Sequence, residues 1–198
     1  MRCAIKSISP CFETIKVQDG YLYHLAFHQA RFDKTRHALY GAKESIRLSE
    51  HLTPPKEGLY RVRVEYTSGI EKVEYFPYVP RLFERFLVME RDELSYAYKY
   101  CDRTLLATDL QGKFDDVIFT CKDVLKDTSI ANIALLIDGQ WYTPTHPLLE
   151  GTTRARLLLS GFLKEAPLRR QSLQKAQKFA IMNALIGFKI LHNVLIKE

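Results

Sequence analysis

Residues 127–159, with the sequence DTSIANIALLIDGQWYTPTHPLLEGTTRARLLL, indicate the fold of this chain more clearly than any other stretch. A continuous apolar run at residues 133–137 is followed by Asp138 and Gly139 and then by an aromatic, β-branched run, a pattern that predicts a β-hairpin. Pro144 is expected to end the second strand, because proline cannot donate a hydrogen bond to a neighbouring strand.

A helix is predicted directly after this hairpin. Gly151 permits a tight entry, and the helix should begin at Thr152 or Thr153, with leucines following at helical spacing. The start of a helix presents unpaired backbone N–H groups and the positive end of the helix dipole. Such a start, with two hydroxyl side chains, would suit a phosphate group.

The composition indicates an ordinary globular protein. The chain has 198 residues, 46% of them hydrophobic and 26% charged, which suffices for one large or two small domains. Its net charge of +6 favours anionic small molecules. The densest basic cluster is interpreted as the solvated face of a helix, in preference to a nucleic-acid surface, and comprises Arg169, Arg170, Lys175 and Lys178. No apolar run is long enough to span a membrane and no signal peptide is evident, so a cytoplasmic location is expected.

The first part of the chain reads as a small sheet with one helix. Residues 11–17 and 21–23 predict a hairpin, and a helix should run from about Ala26 to a stop at Gly41. Two further strands are expected at residues 58–66 and 70–78, where polar and apolar residues alternate.

A lysine among aromatic residues is the main candidate for chemistry. Lys99 stands between Tyr98 and Tyr100, and loss of hydration there would lower its pKa and make the neutral amine available. A neutral amine is what a Schiff base with an aldehyde cofactor requires. A short helix is predicted just beyond it, at residues 104–110.

The order of motifs resembles the class IV aminotransferase family, the fold-type IV enzymes that use pyridoxal 5′-phosphate (PLP). In residues 127–154 an acid, small residues, Asn132, an apolar strand, Thr-Pro and Leu-x-Gly-x-Thr-Arg follow one another as they do in that family. Phe-Glu-Thr at residues 12–14 and the later His28-x-x-Arg31 resemble its opening motif. The family includes branched-chain and D-amino-acid aminotransferases and aminodeoxychorismate lyase.

The resemblance implies an α+β fold with two domains, like that of D-amino-acid aminotransferase. A small N-terminal α/β sandwich domain is expected at residues 1–88, and a larger, barrel-like, PLP-binding domain at residues 89–198. The usual first strand of the family is expected to be missing or reduced to residues 1–10, which leaves a truncated edge. Family members are generally homodimers, so a homodimer is expected here.

The resemblance also implies a role for each candidate site residue. Lys99 would carry the cofactor covalently and act as the catalytic base, and Asp127 would pair with the pyridine nitrogen. Leu149 would pack on the ring face. The phosphate would be held by Arg31, Thr152, Thr153 and Asn183. Asp127 departs from the family, in which this position is normally glutamate.

Two arginines are candidates for the residue that binds a substrate carboxylate. Arg61 and Arg63 share one face of a predicted strand, because side chains alternate along it. The resemblance does not choose between them. No metal is expected, since His24-x-x-x-His28 lacks the neighbouring acid of a zinc protease and the cysteines form no C-x-x-C pair.

The residues after Lys99 favour one function within the family. Lys-x-x-Asp-Arg at residues 99–103 is closer to aminodeoxychorismate lyases than to branched-chain aminotransferases. The resemblance therefore predicts a PLP-dependent 4-amino-4-deoxychorismate lyase, which releases pyruvate and forms 4-aminobenzoate for folate biosynthesis. The alternatives are an aminotransferase of the D-amino-acid or branched-chain type and a catalytically degenerate family member.

Overall fold

The computed structural model describes residues 9–197. Contacts divide these residues into two compact units. The first unit contains residues 9–78 and the separate segment Tyr98–Arg103, and the second contains Val79–Ala97 and residues 104–197. The domain division predicted at residues 88 and 89 stays a prediction, and the edge expected at residues 1–10 falls mostly outside the described residues.

The first unit is built on a four-stranded antiparallel sheet in the order β2-β1-β3-β4. Its elements are β1 (Cys11–Gln18), β2 (Tyr21–Leu22), α1 (Leu25–Tyr40), α2 (Leu48–His51), β3 (Leu59–Tyr66) and β4 (Ile70–Pro77). Helix α1 ends at Gly41, which has a φ of 64° and donates its N–H back to the last turn. The predicted helix stop is therefore confirmed.

The core of this unit lies between one face of the sheet and the helices. Strand β1 alternates, so that Cys11, Ile15 and Val17 are buried on the core face. The ring of Phe32 from α1 packs edge-on against Tyr66 of β3, with 4.7 Å between the ring centroids. The opposite face of β3 carries charged side chains, as the alternating sequence predicts.

The segment Tyr98–Arg103 adds to the same sheet. The backbone N–H of Phe12 donates to the Lys99 carbonyl at 2.9 Å, and that of Cys101 donates to the Pro10 carbonyl at 2.7 Å. These bonds pair the segment with the first residues of β1. Lys99 is thus fixed to a strand that lies far from it in sequence.

The second unit contains two sheets. A five-stranded sheet has the order β10-β9-β8-β11-β12, and a four-stranded sheet has the order β13-β5-β6-β7. The elements are β5 (Arg85–Glu90), β6 (Asp116–Cys121), β7 (Val124–Thr128), β8 (Asn132–Ile137), β9 (Gln140–Pro144), α3 (Thr152–Leu159), β10 (Leu163–Ala166), α4 (Arg170–Lys175), β11 (Lys178–Asn183), β12 (Gly187–Leu191) and β13 (Leu195–Lys197).

Strand β8 is covered on both faces, which explains its continuous apolar sequence. Ile133 and Leu135 pack in a core that also contains Phe86 and Ile118 of the four-stranded sheet. Ala134, on the other face, packs in a cluster that includes residues of α3 and β11. The hairpin and the helix start predicted in this region are both confirmed.

The helix predicted at residues 104–110 is wrong. Only Thr104–Leu106 form a single 3₁₀ turn. The Asp109 carboxylate accepts the backbone N–H of Gln111 at 3.0 Å, and Gln111 and Gly112 both have positive φ. The aspartate therefore stabilises a turn in competition with the helix.

Within residues 9–197, no helix combines the length and the apolar composition needed to cross a membrane. The same part of the chain contains no group of three or more His, Cys, Asp or Glu side chains placed to hold a metal ion.

The turn between β8 and β9 provides a test of backbone geometry. Gly139 has a φ of 76°, which residues with a side chain rarely adopt, and an added Cβ would have no atom within 4 Å. A substitution there would therefore strain the backbone without causing a steric clash. We expect Gly139→Ala to lower the free energy of unfolding by about 1–2 kcal/mol. Gly69→Ala is the control, since Gly69 also has open space but an ordinary φ. Denaturant unfolding followed by circular dichroism measures both, and equal effects would contradict the prediction.

Candidate active site

Lys99 lies beside an aromatic ring of the first unit. Its Nζ is 4.6 Å from the centroid of the Phe12 ring, and its side chain is half-buried. The Arg63 guanidinium contacts the same ring, with Cζ at 3.9 Å from the centroid. The amine and the guanidinium therefore both contact the Phe12 ring.

The environment of Lys99 favours its neutral form. Burial, followed by the positive charges of Arg31 and Arg103, lowers the pKa of Lys99 to about 7. Glu13 acts in the opposite direction. A substantial fraction of the amine is then unprotonated at neutral pH, as a nucleophile or general base requires.

A buried carboxylate organises the opening motif. Glu13 is fully buried, and its two oxygens accept hydrogen bonds from Nε and Nη2 of Arg31. His28, which is also buried, donates from Nδ1 to the same carboxylate at 2.7 Å. Arg31 is the predicted phosphate ligand, and the paired contact with Glu13 fixes the plane of its guanidinium.

Burial and mutual contacts determine the protonation states of Glu13 and His28. Burial alone would raise the pKa of Glu13, but Arg31 and His28 lower it to about 2. Burial lowers the pKa of His28 despite the neighbouring carboxylate, so the imidazole is neutral at pH 7. The result is an ion pair between the buried Glu13 and the partly buried Arg31, with a neutral histidine at its side.

The two candidate substrate arginines differ in their surroundings. Arg63 is held by Glu65, whose carboxylate accepts its Nε at 2.6 Å, and by the Sγ of Cys101 at 3.5 Å. Arg61 is exposed and lies over the ring of Phe76, with Cζ at 4.8 Å from its centroid. Arg63 therefore shares a ring contact with Lys99, whereas Arg61 does not.

In the second unit, Asp127 is a buried acid at the end of β7. Only 4% of its surface is exposed. Its Oδ1 accepts Nδ2 of Asn132 and its Oδ2 accepts the backbone N–H of Leu149, both at 2.9 Å. Burial raises the pKa of Asp127 to about 6, although these two donors and the charge of Arg154 oppose the rise.

The start of helix α3 lies next to this acid. Asn132 also donates from Nδ2 to the Leu149 carbonyl at 2.8 Å, and its Oδ1 lies against Gly151, the residue before the helix. Thr152 and Thr153, the first two helical residues, are both buried. The predicted acid and the predicted phosphate cradle are therefore joined through one asparagine.

Asn183 ends β11 and stabilises two turns. Its Oδ1 accepts the backbone N–H groups of Leu185 and Ile186, and its Nδ2 donates to the Ile130 carbonyl at 3.2 Å. This last bond connects it to the turn between Asp127 and β8. Its predicted contact with the phosphate stays a prediction.

The structure thus gathers the candidate residues into two sets, one within each unit. Lys99, Arg31 and Arg63 belong to the first unit, and the other set lies in the second. The second set comprises Asp127, Leu149, Thr152, Thr153 and Asn183. Sequence reasoning assigned no role to Glu13, although an acid on the apolar face of an alternating strand was a usable indication.

The titration of Lys99 can be measured directly in the cofactor-free protein. We expect reductive methylation at Lys99, mapped by mass spectrometry, to rise with pH through about 7 and then level off, because the amine is then fully neutral. Lys72 is an internal control, since Glu74 raises its pKa above the usual value. A Lys99 profile that runs parallel to that of Lys72 would contradict this expectation.

The Glu13 ion pair predicts a loss of stability in acid. Because the pKa of Glu13 is about 2 in the folded protein against 4.5 ordinarily, its contribution is complete above pH 4.5 and is lost as the pH falls towards 2.

We expect Glu13→Gln to lower the free energy of unfolding by about 3–5 kcal/mol at neutral pH, because Arg31, which is only 14% exposed, loses its partner charge. Glu50→Gln, which removes an exposed pair with Arg47, should cost at most about 1 kcal/mol. Unfolding titrations at several pH values measure both, and a Glu13→Gln cost as small as that of Glu50→Gln would argue against this assignment.

Comparison with known proteins shows what the chain is similar to. The model of the class IV amino-transferase family matches residues 98–193. An uncharacterized protein of Haemophilus influenzae (strain ATCC 51907 / DSM 11121 / KW20 / Rd) is 29% identical over 186 residues, which cover 90% of this chain and 98% of the relative.

Two solved structures share the fold. One is a Haemophilus somnus 129PT protein provisionally named a 4-amino-4-deoxychorismate lyase, with 30% identity, a TM-score of 0.82 and coverage of 90% of this chain and 97% of the other. The other is a Mycobacterium tuberculosis protein described as a hypothetical aminotransferase in its PLP-bound form, with 18% identity, a TM-score of 0.74 and coverage of 95% and 81%.

These similarities confirm the predicted fold class, a two-part α and β structure of the fold-type IV kind. The predicted cofactor is confirmed for the family, whose members depend on PLP. With 30% identity across nearly all of a solved relative and its motifs in order, this chain belongs to the class IV aminotransferase family.

Proposed function

We propose that this chain is a PLP-dependent 4-amino-4-deoxychorismate lyase, which releases pyruvate and forms 4-aminobenzoate in folate biosynthesis. One arrangement carries the proposal, namely that the Lys99 amine and the Arg63 guanidinium share the Phe12 ring. A base and a guanidinium that contact the same ring suit a substrate that bears an amine and two carboxylates. The Haemophilus somnus relative, with its provisional name, supports the same choice.

The residues present fit the needs of PLP. A lysine with a lowered pKa suits the aldehyde, a buried acid suits the pyridine nitrogen, and a helix start with two buried threonines suits the phosphate. Lys99, Asp127, Thr152 and Thr153 would hold these groups, together with Arg31, Leu149 and Asn183. PLP supplies the electron sink that makes proton removal beside the substrate amine possible.

Lys99 would move the protons of the reaction. Its neutral Nζ removes the proton from the ring carbon that bears the substrate amine. The adjacent C–O bond then breaks, the ring becomes aromatic, and the departing enolpyruvate accepts a proton at its methylene carbon to become pyruvate. The proton taken up by Lys99 can supply this last step, so that no further reactant is needed.

Arg63 would bind a carboxylate of the substrate. Glu65 and the Phe12 ring hold its guanidinium in place, so little side-chain entropy is lost on binding. The net charge of +6 also favours a dianionic substrate.

We also propose that the enzyme is a cytoplasmic homodimer. This proposal follows from the resemblance to the family. Light scattering coupled to size-exclusion chromatography tests the dimer, and a monomer mass at assay concentration would rule it out. Cell fractionation tests the location, and recovery of the protein outside the cytoplasmic fraction would exclude it.

One assay separates lyase from aminotransferase. PLP-loaded protein is given 4-amino-4-deoxychorismate, and pyruvate is measured with lactate dehydrogenase. In parallel, amino acids are offered and conversion of the cofactor to its amine form is followed by absorption. We expect pyruvate release, and we expect Lys99→Ala to abolish it because the proton-transferring amine is lost.

The other outcomes of this assay are equally clear. Amino-acid conversion without pyruvate release would replace the lyase by an aminotransferase. Neither activity, in protein that binds PLP, would support a catalytically degenerate member. Pyruvate release that Lys99→Ala leaves unchanged would exclude Lys99 as the base.

The choice between the two arginines can be tested with the same assay. We expect Arg63→Ala to raise KM for the substrate by about tenfold or more, because a charge-assisted bond to a carboxylate is lost. Arg61→Ala is the matched control on the same face of β3 and should leave KM within about twofold. A larger effect of Arg61→Ala would reverse the assignment.

A further inference from the structure

One buried amide connects three parts of the second unit. Asn132 is only 5% exposed, and its Nδ2 donates both to the Asp127 carboxylate at 2.9 Å and to the Leu149 carbonyl at 2.8 Å. Its Oδ1 lies against Gly151, the N-cap of α3. The acid, the loop after β9 and the helix start are thus in contact with the same side chain.

Gly151 shows how closely the helix start approaches this amide. A Cβ built on Gly151 would lie 2.0 Å from Oδ1 of Asn132, far inside contact distance. The backbone of Gly151 has φ −70° and ψ 145°, which every residue can adopt. The position therefore needs glycine because of Asn132 and for no reason of backbone strain.

Asn132 also acts on the charge of Asp127. Burial favours the protonated acid, and the hydrogen bond from Asn132 is the largest of the effects that oppose it. The remaining opposing effects are backbone N–H groups of residues 148 and 149 and the charge of Arg154 on α3. Without the amide donor, Asp127 would take up its proton at a higher pH.

We infer that Asn132 is a positioning residue, which holds the Asp127 carboxylate and the start of α3 in one arrangement so that pyridine nitrogen and phosphate are bound together. The inference rests on the cofactor roles proposed above. It explains how an aspartate, shorter than the family's usual glutamate, is kept ionised and oriented.

A double-mutant cycle tests the inference without turnover. Cofactor-free Asn132→Ala, Gly151→Ala and the double variant are titrated with PLP, and Kd is obtained from the absorption of the bound cofactor. We expect each single change to raise Kd by about tenfold or more, since a hydrogen bond to a charged group is lost or displaced.

The double variant should bind PLP no more weakly than Asn132→Ala alone. The three atoms nearest the added Cβ all belong to the Asn132 side chain, the third at 3.8 Å, so removal of the amide also removes the clash. This non-additivity is the expected result for two residues that act through one contact.

The pH dependence of Kd separates positioning from a general loss of stability. Relative to the wild type, the acid side of the binding profile of Asn132→Ala should move to higher pH, because Asp127 must be ionised to pair with a protonated ring nitrogen. Lys99 also titrates in this range but is the same in both proteins. Thr143→Val is the control, since buried Thr143 donates to the Ile133 carbonyl at 2.8 Å in the same hairpin. It should lower Tm and leave both Kd and the pH profile unchanged.

The inference fails if Asn132→Ala and Gly151→Ala bind PLP as the wild type does, or if their effects add. If Asn132→Ala does not fold, Gly151→Ala alone tests the inference, through its Kd for PLP and the pH dependence of that Kd. Wild-type protein that does not bind PLP would refute both the inference and the cofactor roles. A wild type that binds PLP but releases no pyruvate would refute the lyase alone.

Discussion

The hydrogen bond between Asn132 and Asp127 connects the fold of the second unit with its proposed chemistry. A carboxylate can stay ionised inside a protein only when donors replace its lost hydration. Here an amide side chain and a backbone N–H provide that replacement, and the same amide meets the residue that begins helix α3. The strand β8, covered on both faces, holds Asn132 at its first residue.

The first unit satisfies the same constraint in another way. Glu13 is buried beneath α1, and Arg31 and His28 surround it with donors. Glu13 places negative charge near Lys99, while positive charge comes from Arg31, Arg103 and Arg63. Burial and the balance of these charges together bring the pKa of Lys99 to about 7.

Much of this architecture could be predicted from the sequence because it depends on local pattern. The turn at Asp138-Gly139, the helix stop at Gly41 and the helix start at Thr152 follow from backbone preferences that a few residues reveal. The helix expected at residues 104–110 failed because the Asp109 side chain binds the backbone two residues later.

The partners of Glu13 and Asn132 could not be predicted, since they depend on contacts between distant segments. Arg63 could be separated from Arg61 only once Phe12 and Cys101 were located in space. The site roles read from motifs remain predictions, and the structure adds the neighbours on which each role depends.

The pairing of Tyr98–Arg103 with β1 has a consequence for how the protein is made. The chain leaves the first unit at Tyr78, enters the second, and returns to complete the first before leaving again. During synthesis, Tyr98–Arg103 can pair with the strand that carries Phe12 and Glu13 only after Val79–Ala97 of the second unit have left the ribosome. Until then the nascent N-terminal portion lacks the pairing with Tyr98–Arg103, and Lys99, the proposed catalytic base, arrives with that segment.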